Sequence, residues 1–248
     1  MGLAENIAQV QERIAATCAR VGRNPSEVTL VAVSKTIPAE VVAEAYRLGL
    51  RHFGENRVEE AREKISYLHA ERPISNLQSP IPNPQWHLVG HLQSRKVAEV
   101  VTLFDVIHSV DSVKLANKLS RSCIEAGRVM PVLLECNVSG EASKYGFPVS
   151  AAADKARWLA EVEAILAKAP GVRVEGLMTV APIVSQAQDT RPVFRALRQL
   201  RDELAARFPQ TNWQHLSMGM TDDFEIAIEE GATLVRVGRA IFGERQQI

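Results

Sequence analysis

The chain has 248 residues, of which 46% are hydrophobic and 23% charged. That composition excludes a disordered chain, a collagen-like repeat and a disulfide-stapled miniprotein. Lysine plus arginine and aspartate plus glutamate stand at 29 each, so no overall charge draws the protein to nucleic acid or to an anionic membrane, and neither is expected as a partner.

No apolar run approaches the ~18 residues of a membrane span. The start, Met1 to Asn6, reads neither as a signal peptide nor as a myristoylation site. Cys18, Cys123 and Cys136 are odd in number and never spaced C-x-x-C. They are expected to be reduced thiols in a cytoplasmic protein.

An amphipathic helix opens the chain, with Ile7, Val10, Ile14 and Cys18 at helical spacing. The run Val28 to Ser34 then predicts a first strand, ending at Lys35, followed by a helix from Pro38 to Leu48. A strand at His52 to Gly54 leads to a charged helix from Arg57 to Ala70. Its cluster of Glu59, Glu60, Arg62, Glu63 and Lys64 reads as a solvated face with local ion pairs.

Trp86 to Val89 precedes a helix from Ser94 to Leu103, and Val106 to Ser109 precedes a helix capped by Asp111 and running to Ala126. The second half keeps the alternation. Pro131 to Asn137 is followed by a helix from Ser150 to Lys168, and Val172 to Met178 by one from Arg191 to Arg207. His215 to Ser217 is followed by a helix from Asp222 to Glu230, and Leu234 to Val237 by a last helix from Arg239.

Eight strand–helix units at this length predict an α/β fold, a single-domain (β/α)8 barrel with an extra N-terminal helix. A doubly wound open sheet is the rival, but the Gly-rich first turn that usually announces it is missing. One stretch breaks the rhythm. Residues 72–85 hold four of the twelve prolines and predict a loop inserted between a helix and the next strand.

Barrel active sites form at the C-terminal strand ends. Lys35 sits there, sharing a face with Val33 and Val31. On a barrel-lining face its amine is partly desolvated, as a Schiff-base lysine needs to be; otherwise it is a solvated residue just past a strand, and position alone leaves both open. Strand eight neighbours strand one. Arg236 on it is either a peripheral ion-pair partner or an inward donor beside Lys35. The loop Ser217 to Thr221 and the turn at Gly238 and Arg239 follow the last two strands, where this fold recurrently binds phosphate. Plain turn chemistry is the competing account. The spacing from Gly238 to Gly243 is Walker-like, but Glu244 stands where lysine is required. A lysine for a carbonyl, an arginine and an anion cradle together outline an aldehyde-bearing phosphate ester.

Six motifs in these places carry a resemblance. They are Ala32-Val33-Ser34-Lys35-Thr36, Phe53-Gly54-Glu55-Asn56-Arg57, the run Trp86 to Gln93, Glu175 to Thr179, Leu216 to Met220, and Val235 to Gly238. Over residues 5–243 the chain closely resembles the pyridoxal phosphate homeostasis (PLP-binding) proteins. The resemblance implies a fold like the alanine racemase barrel and pyridoxal 5′-phosphate as cofactor. It assigns the covalent lysine to Lys35, phosphate contacts to Ser217, Gly238 and the Arg239 backbone, the pyridine-nitrogen partner to Arg236, and a place near the ring hydroxyl to Asn56. It also implies a monomer that stores, buffers or delivers the cofactor, with apo PLP enzymes as recipients.

Arginine can only donate to the ring nitrogen, which favours weak carbanion stabilisation. A racemase needs a base on each face of the substrate carbon. Of Tyr46, Tyr67 and Tyr145, only Tyr145 is on the correct barrel face, and the racemase C-terminal domain has no counterpart in the chain. These expectations favour a cofactor holder with no catalytic residue assigned. A low-efficiency amino-acid racemase and a Schiff-base aldolase remain as alternatives. His87-x-x-x-His91 has zincin spacing, but His87 falls on a strand and Gly90 intervenes, so no metal site is expected; His87 is read instead as pointing into the barrel near the ligand.

Overall fold

A closed parallel sheet covers both faces of every strand, which is why its strands read as near-continuous apolar runs. The computed structural model describes residues 2–70 and 83–244. Its strands are β1 (Thr29–Val33), β2 (His52–Glu55), β3 (Gln85–Leu88), β4 (Val106–Val110), β5 (Met130–Asn137), β6 (Phe147–Pro148), β7 (Val172–Met178), β8 (His215–Ser217) and β9 (Leu234–Val237). All but β6 form one parallel ring, with β4 paired to β5 and β1 paired to β9. Val31 lies opposite Arg236 in that closing pair. The expected eight-stranded barrel is therefore the observed fold. The two-residue β6, which pairs Phe147 with Cys136 at the end of β5, was not foreseen; it is too short to carry a periodic signal.

The helices are α1 (Leu3–Arg20), α2 (Ala39–Arg47), α3 (Val58–Ala70), α4 (Val97–Leu103), α5 (Val113–Glu125), α6 (Ala152–Lys168), α7 (Arg191–Arg207), α8 (Phe224–Glu229) and α9 (Arg239–Phe242). The predicted stripe of α1 is buried, with Ile7, Val10, Ile14 and Cys18 inward. The helix is tied to the last units by Arg13–Glu225 at 3.2 Å and by the Asn6 amide donating to the Ile241 carbonyl at 3.0 Å. One cap differs from expectation. Ser112, not Asp111, caps α5, its hydroxyl accepting from the Leu115 N–H at 3.3 Å. A serine directly before the first helical residue reaches the third amide, and an aspartate one residue earlier does not.

The proline-rich insertion expected at 72–85 lies outside the described residues as far as 82. Its end meets the N-terminal edge of the barrel, where the Gln85 N–H donates to the Arg51 carbonyl at 2.7 Å. Inside the ring, Val31, Leu133, Met178 and Leu234 form an apolar layer. Each such burial contributes about 1.5–3 kcal/mol. Buried polar side chains share the interior with this layer, among them His87, His108, Ser217 and Arg236. Cys18, Cys123 and Cys136 are unpaired and buried in the strand–helix shell, and burial raises all three thiol pKa values. No helix among the described residues is long and apolar enough to cross a membrane.

Candidate functional site

The barrel places the ends of β1 and β9 side by side, so the residues after them share one mouth. Lys35, two residues past β1, is half-buried there. Its neighbours are clamped on both sides. The Ser34 carbonyl accepts from Lys64 Nζ at 2.6 Å, and the Ser34 hydroxyl donates to Glu55 Oε1 at 2.6 Å. Lys64 Nζ also donates to Glu55 Oε1 at 2.7 Å, and the Thr36 N–H donates to Glu60 Oε2 at 2.7 Å. Thr36 has φ 66°, a left-handed conformation that costs a β-branched residue roughly 1–2 kcal/mol and persists only when its surroundings impose it.

The clamp corrects the reading of α3 as a solvated face. Glu59 and Arg62 do reach outward, to Lys96 at 2.6 Å and to Glu99. Lys64 is only 4% exposed and lies on the same stripe as Ala61, Ile65 and Leu68. Its position on the apolar stripe was the signal available in the sequence. Burial raises the Glu55 pKa against the opposing effect of Lys64, and Glu55 Oε2 is buried without a hydrogen-bond partner among the described residues.

Arg236 points into the barrel and is 5% exposed. Its Nη1 donates to Ser217 Oγ at 2.6 Å and its Nη2 to the Thr179 carbonyl at 2.8 Å. Its direct partners are therefore neutral oxygens; Asp223 and Glu135 act on it at longer range. Burial lowers its pKa to about 10, which leaves it cationic at neutral pH. Glu135, inward on β5, is raised to about 7 by burial and by the charge of Asp111, against the pull of Arg236. Sequence reasoning had no signal for Glu135, since an inward and an outward acid look alike within an apolar run.

A cavity of about 510 Å³ opens at this mouth, and Lys35, Asn56, Thr221, Arg236, Gly238 and Arg239 line it. Val33, Val89, Val180 and Phe242 supply apolar wall. Five of the six expected site residues thus meet around one hollow. The sixth, Ser217, is fully buried, its hydroxyl held between Arg236 and His108 at 2.6 and 2.8 Å. From the same loop Thr221, which the sequence places in the expected phosphate loop without a role of its own, reaches the cavity wall. A second hollow of about 330 Å³, lined in part by Ser150, Lys155 and Gln199, lies at the edges of α6 and α7.

Both loops of the mouth depend on glycine. Gly219 has φ 90°, and a Cβ there would sit 2.5 Å from the Ala227 side chain. A Cβ on Gly238 would come 3.1 Å from the Val33 carbonyl oxygen, crowding the approach to Lys35. Arg239 and Ala240 open α9, and backbone N–H groups in a first turn have no intrahelical acceptor. The Arg239 side chain itself pairs with Asp222, joining the two loops at the cavity edge.

His87 and His91 face different ways. His87 lies inside the barrel between His52 and His108, inward as expected but not among the residues lining the cavity, whereas His91 sits at the rim, 3.3 Å from Asp111 and stacked on Tyr145 at 4.3 Å between ring centres.

The sequence model of the family described as alanine racemase, N-terminal domain, matches residues 3–246. A pyridoxal phosphate homeostasis protein of Aquifex aeolicus is 39% identical over 246 residues, covering 99% of this chain and 100% of that one. The protein of the same name from Escherichia coli K12 is 38% identical over 243 residues, with 98% and 97% covered. Among solved structures, PipY of Synechococcus elongatus PCC7942 with PLP bound has a TM-score of 0.79 at 38% identity, covering 98% of this chain and 100% of that one. An alanine racemase of Clostridium difficile 630 in complex with cycloserine has a TM-score of 0.66 at 13% identity and covers 96% of this chain and 60% of that one. That likeness is one of fold alone.

Proposed function

This chain belongs to the pyridoxal phosphate homeostasis protein family, and we propose on that premise that it binds pyridoxal 5′-phosphate in the cavity at the barrel mouth, beside the ends of β1 and β9, and serves the homeostasis of that cofactor. One observation carries the reading. A single 510 Å³ hollow joins a half-buried lysine, a donor-only cation and two small-residue loops, which are the parts an aldehyde, a pyridine nitrogen and a phosphate respectively require.

When bound, the cofactor supplies an aldehyde carbon open to attack by an amine. Lys35 presents the amine, and the clamp at Ser34 and Thr36 fixes the backbone from which it projects. Arg236 donates toward the ring nitrogen and, having no lone pair to accept with, holds that nitrogen unprotonated. Thr221, Gly238 and the Arg239 backbone line the phosphate end, with Ser217 acting behind them by orienting Arg236. Asn56 lies on the wall where the ring hydroxyl is expected.

An unprotonated ring is a weak electron sink, so this arrangement supports storage, buffering or delivery of the cofactor over turnover of amino acids. The reading includes a monomer in a reducing, cytoplasmic compartment, supported by three unpaired buried thiols, with apo PLP enzymes as recipients.

The test is to load the protein with PLP, reduce it with borohydride and analyse it by mass. A pyridoxyl group on Lys35, absent in Lys35→Ala, is expected. The loaded protein should restore activity to an apo PLP enzyme while leaving L-alanine and L-serine unracemised over long incubation. Sustained racemisation abolished by Lys35→Ala would replace this reading with the racemase one, and failure to take up PLP at all would remove both.

A further inference from the structure

Polar side chains cross the barrel interior in an unbroken line. His52 Nδ1 lies 3.0 Å from His87 Nε2, and His87 Nδ1 lies 2.9 Å from His108 Nε2. His108 Nδ1 lies 2.8 Å from Ser217 Oγ, which accepts from Arg236 Nη1 at 2.6 Å. The line begins at the start of β2, a half-buried position, and passes through β3 and β4. It then crosses to β8 and ends on β9 at the cavity wall. His87 is 2% exposed and His108 and Ser217 are 0% exposed, so water does not complete their bonding.

Hydrogen-bond arithmetic gives the line a direction. A neutral imidazole has one donor and one acceptor, a hydroxyl has a single proton, and a guanidinium only donates. Burial holds His87 and His108 neutral, lowering the first to about 3 and the second well below its usual value. Ser217 Oγ accepts a hydrogen bond from Arg236, and among the described residues its one other side-chain contact is His108 Nδ1. The hydroxyl must therefore donate to His108 Nδ1; the opposite arrangement would aim two donors at Oγ and leave its own proton buried without an acceptor. With Nδ1 accepting, His108 carries its proton on Nε2 and donates to His87 Nδ1. His87 in turn donates from Nε2 to His52 Nδ1.

We propose that His108 and His87 are positioning residues for cofactor recognition: Arg236 sets one tautomer along the whole line, and the line in return locks Ser217 as an acceptor that holds Arg236 aimed at the ring-nitrogen end of the cavity. The bonds to Ser217 and Thr179 use two of the five guanidinium N–H groups, leaving donors for a ligand. This inference rests on the proposed PLP reading only for the identity of that ligand. The orientation of the line belongs to the protein alone.

Two measurements test it separately. In 15N-histidine-labelled protein without ligand, long-range proton–nitrogen spectra should show His108 and His87 each as a single Nε2–H tautomer. Ser217→Ala, which removes the hydroxyl link, and Arg236→Met, which removes the donor, should each give a mixture of tautomers at both histidines. His52→Ala, at the far end, should leave His108 unchanged. A wild-type Nδ1–H signal at His108, or a pattern unaltered in folded Ser217→Ala, overturns the inference. In PLP titrations, His108→Leu should weaken binding tenfold or more and His108→Asn, whose Oδ1 can accept from Ser217, should recover most of it. Equal affinity in His108→Leu and wild type overturns the positioning role. A wild-type protein that takes up no PLP defeats the functional reading while the nitrogen spectra still decide the line.

Discussion

Lys35 and Arg236 face one cavity from adjacent strands, yet the protein secures them by opposite means. Around Lys35 the support is ionic: Lys64 and Glu55, 4% and 0% exposed, form a buried pair that grips the Ser34 carbonyl and hydroxyl, while Glu60 holds the Thr36 amide. Around Arg236 the support is neutral, a hydroxyl, a carbonyl and a file of uncharged imidazoles. A buried ion pair is costly to break, because each member becomes an uncompensated charge once the other leaves. A buried cation bonded to neutral oxygens already carries its desolvation cost in the intact fold. The ionic side should therefore govern stability and the neutral side ligand recognition.

Lys64→Met gives the sharpest separation, since it strands Glu55. A loss of about 3–5 kcal/mol in urea unfolding at pH 7 is expected, and the double variant Lys64→Met/Glu55→Gln should recover much of it. A single variant as stable as wild type would break the contrast.

Glu135 sits between the two regimes, and its effect depends on pH. Its folded pKa, raised to about 7 from 4.5, means that the folded state holds the proton more tightly than the unfolded chain. Stability is then lost as pH rises from 4.5 towards 7. Glu135→Gln should gain up to about 3 kcal/mol at pH 8 and nothing at pH 4, which Tm measured across that range would show.

Arg236→Met should move stability by less than about 1 kcal/mol, as lost charge-assisted bonds are offset by relief from burying the cation. PLP affinity should fall at least tenfold in the same variant, and an unfolded or fully binding variant would each contradict the contrast. The smallest effect is expected at Thr36→Gly. Release of the left-handed strain, less the backbone entropy of glycine, should leave a net gain of roughly 0.5 kcal/mol, seen as a small rise in the denaturant midpoint.

The parts of the fold whose physics is local are legible in the sequence. Val28 to Ser34, Pro131 to Asn137 and Leu234 to Val237 announce buried parallel strands because both faces are apolar, and strand ends then fix where Lys35, Arg236 and Gly238 must lie. Partnerships across the barrel left no local trace. His108 and Ser217 are 109 positions apart, and nothing in either neighbourhood indicates that their strands cross the interior to meet. Ser217 illustrates this. It ends a strand beside the cavity, but its hydroxyl is committed to Arg236 and His108, and Thr221 takes the place on the wall. Lys64 was overlooked because a charged residue within a charged cluster reads as solvent-facing unless its register with Ala61 and Leu68 is followed.

The burial of every cysteine has a consequence if the protein binds an aldehyde, as proposed. Cys18, Cys123 and Cys136 are each at most 1% exposed and held as thiols rather than thiolates by burial. Sulfur would otherwise compete with nitrogen for a reactive carbonyl and would be the first atom lost to peroxide. With its sulfur sealed behind the strands, the molecule should withstand both an aldehyde ligand and peroxide without modification at cysteine.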